Sequence, residues 1–499
     1  MQVQPISRLL WAILTAVLSF WAASCAVALG PAYTIEKQEI RVRFVAKPEP
    51  RIEVAADYQL KNRGTRPLQE LELRLPGKRF RSNGLHAAWD STELTLAPDP
   101  DTPRNTIMKF AEPWKVSSRH TLHLTTEFLP PQEGETSASF SSDAFFLPAA
   151  AWSTELIPPE GLFGSGGEPP KRWNLLVAVP DGFQTHTSGM QKKSSRKGEE
   201  TVVLAEQGKN DPYPFVIAGR YVTAEIGKGT EKVHLWTNKP QDPTKLRDAS
   251  DALGRVMAAY DAAFGARNKE ASQTWIMECP VAAGCFTNLN PLRAKLLGQE
   301  ENERTTAEMI SHDSMVVDLS EGTPALAAGA APSLAASWLG YGQNPGFFEQ
   351  SPPLTMLPAF AAAIGHDAAE GGNSRTETIR RALRLIPQGE KEGEKTSEKT
   401  KKEEDLAVLR VKSFLFFYAL QDRYGPKTFR KATQNMLYLR RERGFDLDDL
   451  IAAFEQETHQ NVAEFVRMWM KRPGVPEEFR ARYEGTAAAN AEKEKENTR

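Results

Sequence analysis

Between residues 33 and 240 apolar and polar side chains alternate in short runs. These are IRVRF (40–44), IEVAADYQL (52–60), LQELELRLP (68–76), LTL (94–96) and TLHLTTEF (121–128). A period of two sends successive side chains to opposite faces, so each run predicts a strand with one face on a core and the other in water. Turn-forming segments such as KNRGTRP, APDPDTP and PPQEGE separate the runs. NLLVAVP (174–180), TVVLAE (201–206), FVIAGRYV (215–222) and KVHLWT (232–237) continue the series. Many short strands with little helix between them predict an antiparallel β saddle or sandwich.

After Pro243 the period becomes helical. Residues 252–265 place Leu253, Val256, Met257 and Tyr260 on one face, and Gly265 stops the helix. QTWIMECP (273–280) and SMVVDLS (314–320) read as buried strands, and APSLAASWLG (331–340) and LPAFAAAIG (357–365) as helices. The last third is strongly helical. One helix ends at Gly425, another starts at an Asp446 cap, and a third starts at an Asn461 cap with Val462, Phe465, Val466 and Trp469 as its core stripe. The stretch 389–405 is almost purely Glu and Lys and reads as a solvated insertion, and residues 484–499 as a disordered tail. The fold class is therefore α+β and multidomain: a β domain over 33–240, then a mainly helical domain over 244–480.

Composition adds little constraint. The 499 residues are 40% hydrophobic and 25% charged with a formal net charge of −2. No global field draws the chain to nucleic acid, and it has neither a GxxxxGK[ST] nor a GxGxxG turn. The N-terminus is more informative. Arg8 precedes an apolar run, and Ala26-Val27-Ala28 fits a small-x-small cleavage site. Residues 1–28 read as a secretory signal, with an uncleaved membrane anchor or lipid attachment at Cys25 as alternatives. Any membrane contact is expected only there. Export, to the periplasm or the extracellular space, permits disulfides. Cys279 and Cys285 are then either bridged or two buried thiols.

Several segments resemble, in order, the zinc aminopeptidases grouped with membrane alanyl aminopeptidase, gluzincins with a thermolysin-like catalytic domain. FFLPAAAWSTELIPPEG, WNLLVAVPDGFQTHTSG and PYPFVIAGRYV resemble the closing half of that family's β saddle. SDALGRVMAAYDAAFG is similar to the first helix of its catalytic domain, and GCFTN (284–288) sits at its Gly-x-Met-Glu-Asn loop. PSLAASWLG (332–340) sits at His-Glu-x-x-His-Gln-Trp-Phe-Gly, and RVKSFLFFYALQDRYGPKTF at the Tyr-x-Lys-Gly helix. The resemblance covers about residues 33 to 480 and implies a saddle domain followed by a thermolysin-like domain.

The chemistry does not follow the resemblance. Two histidines at i and i+4 aim both imidazoles at one metal, but the matching positions are Pro332 and Ala336. The general base matches Ser333, and the third ligand, nineteen residues after the second histidine, matches Thr355. The loop glutamate that would hold a substrate amine matches Thr287, beside Asn288, and the oxyanion tyrosine matches Arg410. Zinc is thus implied by the resemblance while its ligands are absent, and no cofactor is expected. Arg410 lies either on an exposed helix face or against a carboxylate of the protein or a ligand.

None of the eight histidines forms an H-x-x-x-H pair, and His120 and His123 are expected on opposite faces of a strand. His312-Asp313 and Ser165 read as loop residues. The leading reading is an exported, non-catalytic homologue that keeps its cleft as a binding or scaffolding surface for a peptide or protein. The alternatives are an active metallo-aminopeptidase with a rebuilt zinc site, and an envelope assembly protein that works through its β domain.

Overall fold

The computed structural model describes residues 32–74, 81–99, 105–130, 141–148, 152, 154–157, 170–208, 213–226, 232–267, 273–281, 285–286, 291–298, 306–311, 313–320, 322, 326–339, 354–386, 398–440, 445–471 and 474–484. The candidates Cys25, Ser165, Thr287, Asn288 and His312, the proposed signal and the tail beyond 484 lie outside them. The chain divides into two units, Met1–Gly219 and Arg220–Arg499.

The first unit is β throughout its described residues. Its strands are β1 (Tyr33–Val45), β2 (Arg51–Asn62), β3 (Leu68–Arg74), β4 (Arg81–Trp89), β5 (Thr92–Glu93), β6 (Leu96–Pro98), β7 (Asn105–Trp114) and β8 (Arg119–Leu129). They continue as β9 (Ala144–Leu147), β10 (Glu155–Ile157), β11 (Trp173–Pro180), β12 (Gln184–Thr187), β13 (Met190–Lys197), β14 (Glu200–Glu206) and β15 (Val216–Gly219). An eight-stranded sheet runs β13-β14-β11-β1-β2-β8-β4-β5, beside a four-stranded sheet β10-β3-β7-β6 and a three-stranded sheet β12-β15-β9.

The large sheet buries one face over two cores. Toward one end Tyr33, Ile35, Tyr58 and Leu60 pack with Leu71, Leu73 and Met108 of the four-stranded sheet. Toward the other, Ile40, Val42, Phe44 and Ile52 pack with Phe145, Leu147 and Val216 of the three-stranded sheet. A register shift between Ile35 and Lys37 makes both possible from one strand. An extra residue flips the parity of the inward side chains, so odd positions point to the core before it and even ones after it. One feature departs from the expected antiparallel order: β1 pairs with β11 in parallel.

The second unit is mainly helical but is built on a sheet. Strands β16 (Val222–Ile226), β17 (Lys232–Thr237), β18 (Gln273–Glu278), β19 (Ala307–Met309) and β20 (Ser314–Val317) run in the order β16-β17-β18-β20-β19, with β17, β18 and β20 parallel. This corrects the expected boundary near residue 240. KVHLWT pairs with QTWIME rather than with the saddle strands, so the division falls at Gly219. Alternation alone cannot tell which sheet a strand joins.

The helices are α1 (Pro243–Phe264), α2 (Pro291–Leu297), α3 (Leu326–Leu339), α4 (Leu357–Ala369), α5 (Arg375–Arg384), α6 (Glu398–Tyr424), α7 (Pro426–Arg440), α8 (Leu447–Thr458) and α9 (Val462–Lys471). Their ends follow local chemistry. Asp242 accepts from the N–H groups of Thr244 and Lys245 at the start of α1, and Gly265 ends it at φ 86°. Asp446 and Asp449 form a reciprocal capping box on α8, and Glu464 N donates to Asn461 Oδ1 at 3.1 Å on α9. The expected stripe Val462, Phe465, Val466 and Trp469 is buried. The charged stretch 389–405 is not wholly an insertion: from Glu398 it is the start of α6. Among the described residues no helix is long and apolar enough to cross a membrane.

Candidate functional site

Helix α3 carries the positions that matter most. It packs Leu326, Ala327, Ala330, Ala331, Leu334, Ala335, Trp338 and Leu339 into the core. The small residues let its neighbours approach closely. Tyr260 of α1 donates its hydroxyl to Ala331 O at 2.6 Å. Gly365 of α4 fits against that same tyrosine, because a Cβ there would lie 2.0 Å from the Tyr260 hydroxyl and 2.9 Å from Ala331 Cβ. Trp338 donates from Nε1 to Asp261 Oδ1 at 2.9 Å, and the Arg267 guanidinium lies 5.6 Å from its ring centroid. Arg267 is itself buried and donates to Thr274 Oγ1 at 2.6 Å and Gln273 O at 3.1 Å. Through these contacts Trp338 joins α3, α1 and β18.

The other side of α3 leans on the edge strand β19. Ser333 Oγ donates to Ala307 O at 2.9 Å. Pro332 and Ala336, the positions of the two histidines in the resemblance, are half-buried on the same helix. Thr355 is half-buried in a 3₁₀ turn, Leu354–Met356, that leads into α4. Arg410 is exposed on α6, one of the two placements open to it. The fold therefore puts Pro332, Ser333 and Ala336 together on α3, while Arg410 faces water.

Solved structures offer a comparison at this point. No family model matches the chain, and no curated protein matches it. The chain is similar to an M1 zinc metallopeptidase from Deinococcus radiodurans at 13% identity, over 89% of this chain and 95% of that one, with a TM-score of 0.48. It is similar to a point mutant of that enzyme at 13% identity, over 89% and 96%, with a TM-score of 0.47. A two-domain mutant form bound to L-tryptophan matches at 13% identity, over 89% and 96%, with a TM-score of 0.49. Likeness this distant leaves the site to be read from the chain's own residues.

Those residues do not fit zinc. A catalytic zinc site takes three nitrogen, sulfur or carboxylate ligands. Pro332 and Ala336 have no donor atom, and the Thr355 hydroxyl is a poor one. Among the described residues no three His, Cys, Asp or Glu side chains are placed so that they could hold a metal ion together. Ser333 cannot replace the general base, since an alcohol does not accept a proton from water near neutral pH.

Two further features stand out. Cys279 and Cys285 are joined by a disulfide with their Cα atoms 6.3 Å apart, which ties the end of β18 to the segment after it. Lys412 is only 4% exposed on α6, and burial holds its amine below the ordinary lysine range. In the sequence Lys412 is a landmark for counting back to Arg410. Its burial is signalled only by its place in the apolar run VKSFLFFYAL. The burial of Arg267 has no comparable signal, because its partners come from β18 and α3.

Proposed function

We propose that this chain is an exported, non-catalytic relative of the zinc aminopeptidases, which binds or scaffolds a peptide or protein. The observation that carries this reading is Ser333. It stands where the resemblance requires a general base, and its hydroxyl is committed to the carbonyl of Ala307 on β19. Pro332, Ala336 and Thr355, the positions matched to the metal ligands, supply no metal-binding nitrogen or carboxylate. A change at one position is compatible with retained activity. Loss of the base together with every ligand removes both the source of the nucleophile and the polarisation of the scissile carbonyl. Arg410 stands where the resemblance has the oxyanion tyrosine and supplies no hydroxyl there. Packing explains why the helix persists: Leu334 and Trp338 are core residues whichever chemistry is present.

The test is elemental analysis of the purified mature protein after a brief wash with a weak chelator, paired with turnover of aminoacyl-p-nitroanilides with and without added zinc. The expected result is well under one zinc per chain and no zinc-dependent turnover. One tightly held zinc per chain, with turnover lost on chelation, would overturn the reading in favour of a rebuilt metal site.

A further inference from the structure

The outer face of the eight-stranded sheet is polar, and its register leaves a hollow in it. Arg41, Ala55, Thr125 and His86 are successive cross-strand partners on β1, β2, β8 and β4. The row on one side reads Arg43, Glu53 and Glu127, and the row on the other reads Glu39, Asp57 and His123. Residues two apart on a strand share a face, so these rows stand side by side. Ala55 and Thr125 are the short side chains at the middle of this array. They form a floor among longer neighbours, and a cavity of about 420 Å³ opens over them, walled by Arg41, Arg43, Glu53, Glu127, Asn83 and His86. That volume lies within the usual range for small-molecule sites, roughly 300–1,000 Å³.

The walls are linked to one another by ion pairs and hydrogen bonds. Arg43 Nε donates to Glu200 Oε1 at 2.8 Å, and its Nη1 lies 3.7 Å from Glu53. Arg51 Nε lies 2.8 Å from Glu127 Oε1, and Asn83 Nδ2 donates to the other oxygen at 3.0 Å. Arg41 Nη2 donates to Asp57 Oδ2 at 2.9 Å, and His123 Nδ1 pairs with Asp57 Oδ1 at 2.8 Å. Asn83 reaches Glu127 because β4 bulges there. The register slips between Ser82 and Leu85, Gly84 takes φ 101°, and Gly84 O accepts from Thr126 Oγ1 at 2.8 Å. None of these contacts is needed to bury the inner face.

We propose that this basin binds a neutral, hydroxyl-rich ligand, a saccharide unit. The charges in its wall cancel, with Arg41 and Arg43 against Glu53 and Glu127. A ligand of net charge gains no net field there. Each guanidinium keeps N–H groups beyond those in its ion pair, and each carboxylate keeps lone pairs. Fixed donors beside fixed acceptors suit vicinal hydroxyls, which donate and accept at once, and bonds to charged groups are the stronger kind. An extended peptide suits the basin poorly. Peptides add to a sheet edge, whereas β1, β2 and β8 are each paired on both sides. The proposal concerns the first unit alone and is independent of whether α3 binds zinc.

The test is isothermal titration of the full mature chain with maltotriose, cellobiose and diacetylchitobiose, and with glutamate and diglycine as charged comparators. At least one saccharide is expected to bind with a Kd below about 1 mM. Ala55→Tyr fills the floor with a residue that favours strands, and is expected to weaken that binding by about tenfold or more at an unchanged thermal midpoint. Glu127→Gln keeps the shape and removes a charged acceptor, and should weaken binding by itself. It decides the matter if Ala55→Tyr lowers the midpoint. The proposal is overturned if no saccharide binds below 1 mM, if both variants bind like the parent, or if glutamate or diglycine binds more tightly than every sugar.

Discussion

Helix α3 and the outer face of the first unit's sheet treat polar side chains in opposite ways. On α3 the one polar position that the resemblance makes catalytic, Ser333, is tied to the Ala307 carbonyl, and its neighbours Pro332 and Ala336 contribute only bulk. On the sheet, Arg43, Glu53 and Glu127 stand at the surface with donors and acceptors beyond those their ion pairs use. Stability requires α3, because eight of its fourteen residues are in the main core of the second unit. It does not require that outer face, since exposed ion pairs contribute at most about 1 kcal/mol each. Packing thus accounts for α3 without any activity, but leaves the composition of the sheet's outer face unexplained. A helix can be kept for mechanical reasons alone. Binding is better sought where the residue choices exceed what folding asks for.

The largest effect expected from this contrast is at Leu334. The side chain is fully buried in α3, between Pro332 and Ala336, the two positions that the resemblance matches to metal ligands. Leu334→Ala leaves a cavity in the main core of the second unit, to which Leu334 belongs. A loss of about 3 kcal/mol in urea unfolding is expected. Ala55→Tyr on the sheet's outer face is expected to cost almost nothing by the same measure. If the two variants were equally stable, α3 would not be the structural element that its burial implies, and its apolar composition would need another cause.

Much of the architecture is legible from the pattern of side chains, and the failures have physical reasons. Strands β2 and β8 show alternation because each has one buried and one wet face, and β1 shows it on either side of its shift at Ile35. Helix α9 shows its stripe because only one side is buried. Strand β13, MQKKSSRK, is polar on both faces at the edge of its sheet, so it carries no period to find. Strand β4 loses its period at the bulge around Gly84. The site divides in the same way. That α3 contains no His, Cys, Asp or Glu is readable directly from its sequence. The bond from Ser333 to Ala307 is not, since it depends on where an edge strand lies. The basin depends on the mutual register of four strands, which no single segment encodes.

A smaller effect is expected at Ser333 itself. Removing its hydroxyl leaves the Ala307 carbonyl without that donor, at a cost of roughly 1–2 kcal/mol, while alanine's better helix propensity returns about 0.5 kcal/mol. Ser333→Ala should therefore lower unfolding stability by about 1 kcal/mol. No loss at all would mean that the hydroxyl is not holding α3 to β19, and would free it for another role.

The smallest effect is expected from a polar pair near the surface, Asp90 with His120. Asp90 sits at the β4–β5 turn with φ 55°, accepts from Thr121 N at 2.9 Å through Oδ1, and pairs with His120 Nδ1 at 2.8 Å through Oδ2. Its partial burial by itself would raise the carboxyl pKa. The bonds from Thr121 and His120 outweigh that and hold it below the usual carboxylate range. A carboxyl whose folded-state pKa is depressed stabilises the fold above its unfolded value, near 4, and that contribution is lost as pH falls through the lower folded value. Asp90→Asn keeps a residue that tolerates positive φ and removes the charge. Its urea midpoint should lie slightly below the parent's at pH 6–7, with the gap narrowing steadily below about pH 4. A gap that stays constant down to the acid transition would mean that the carboxylate charge contributes nothing. The pair would then be, like most exposed ion pairs, geometry without stability, and the contrast with α3 would be sharper still.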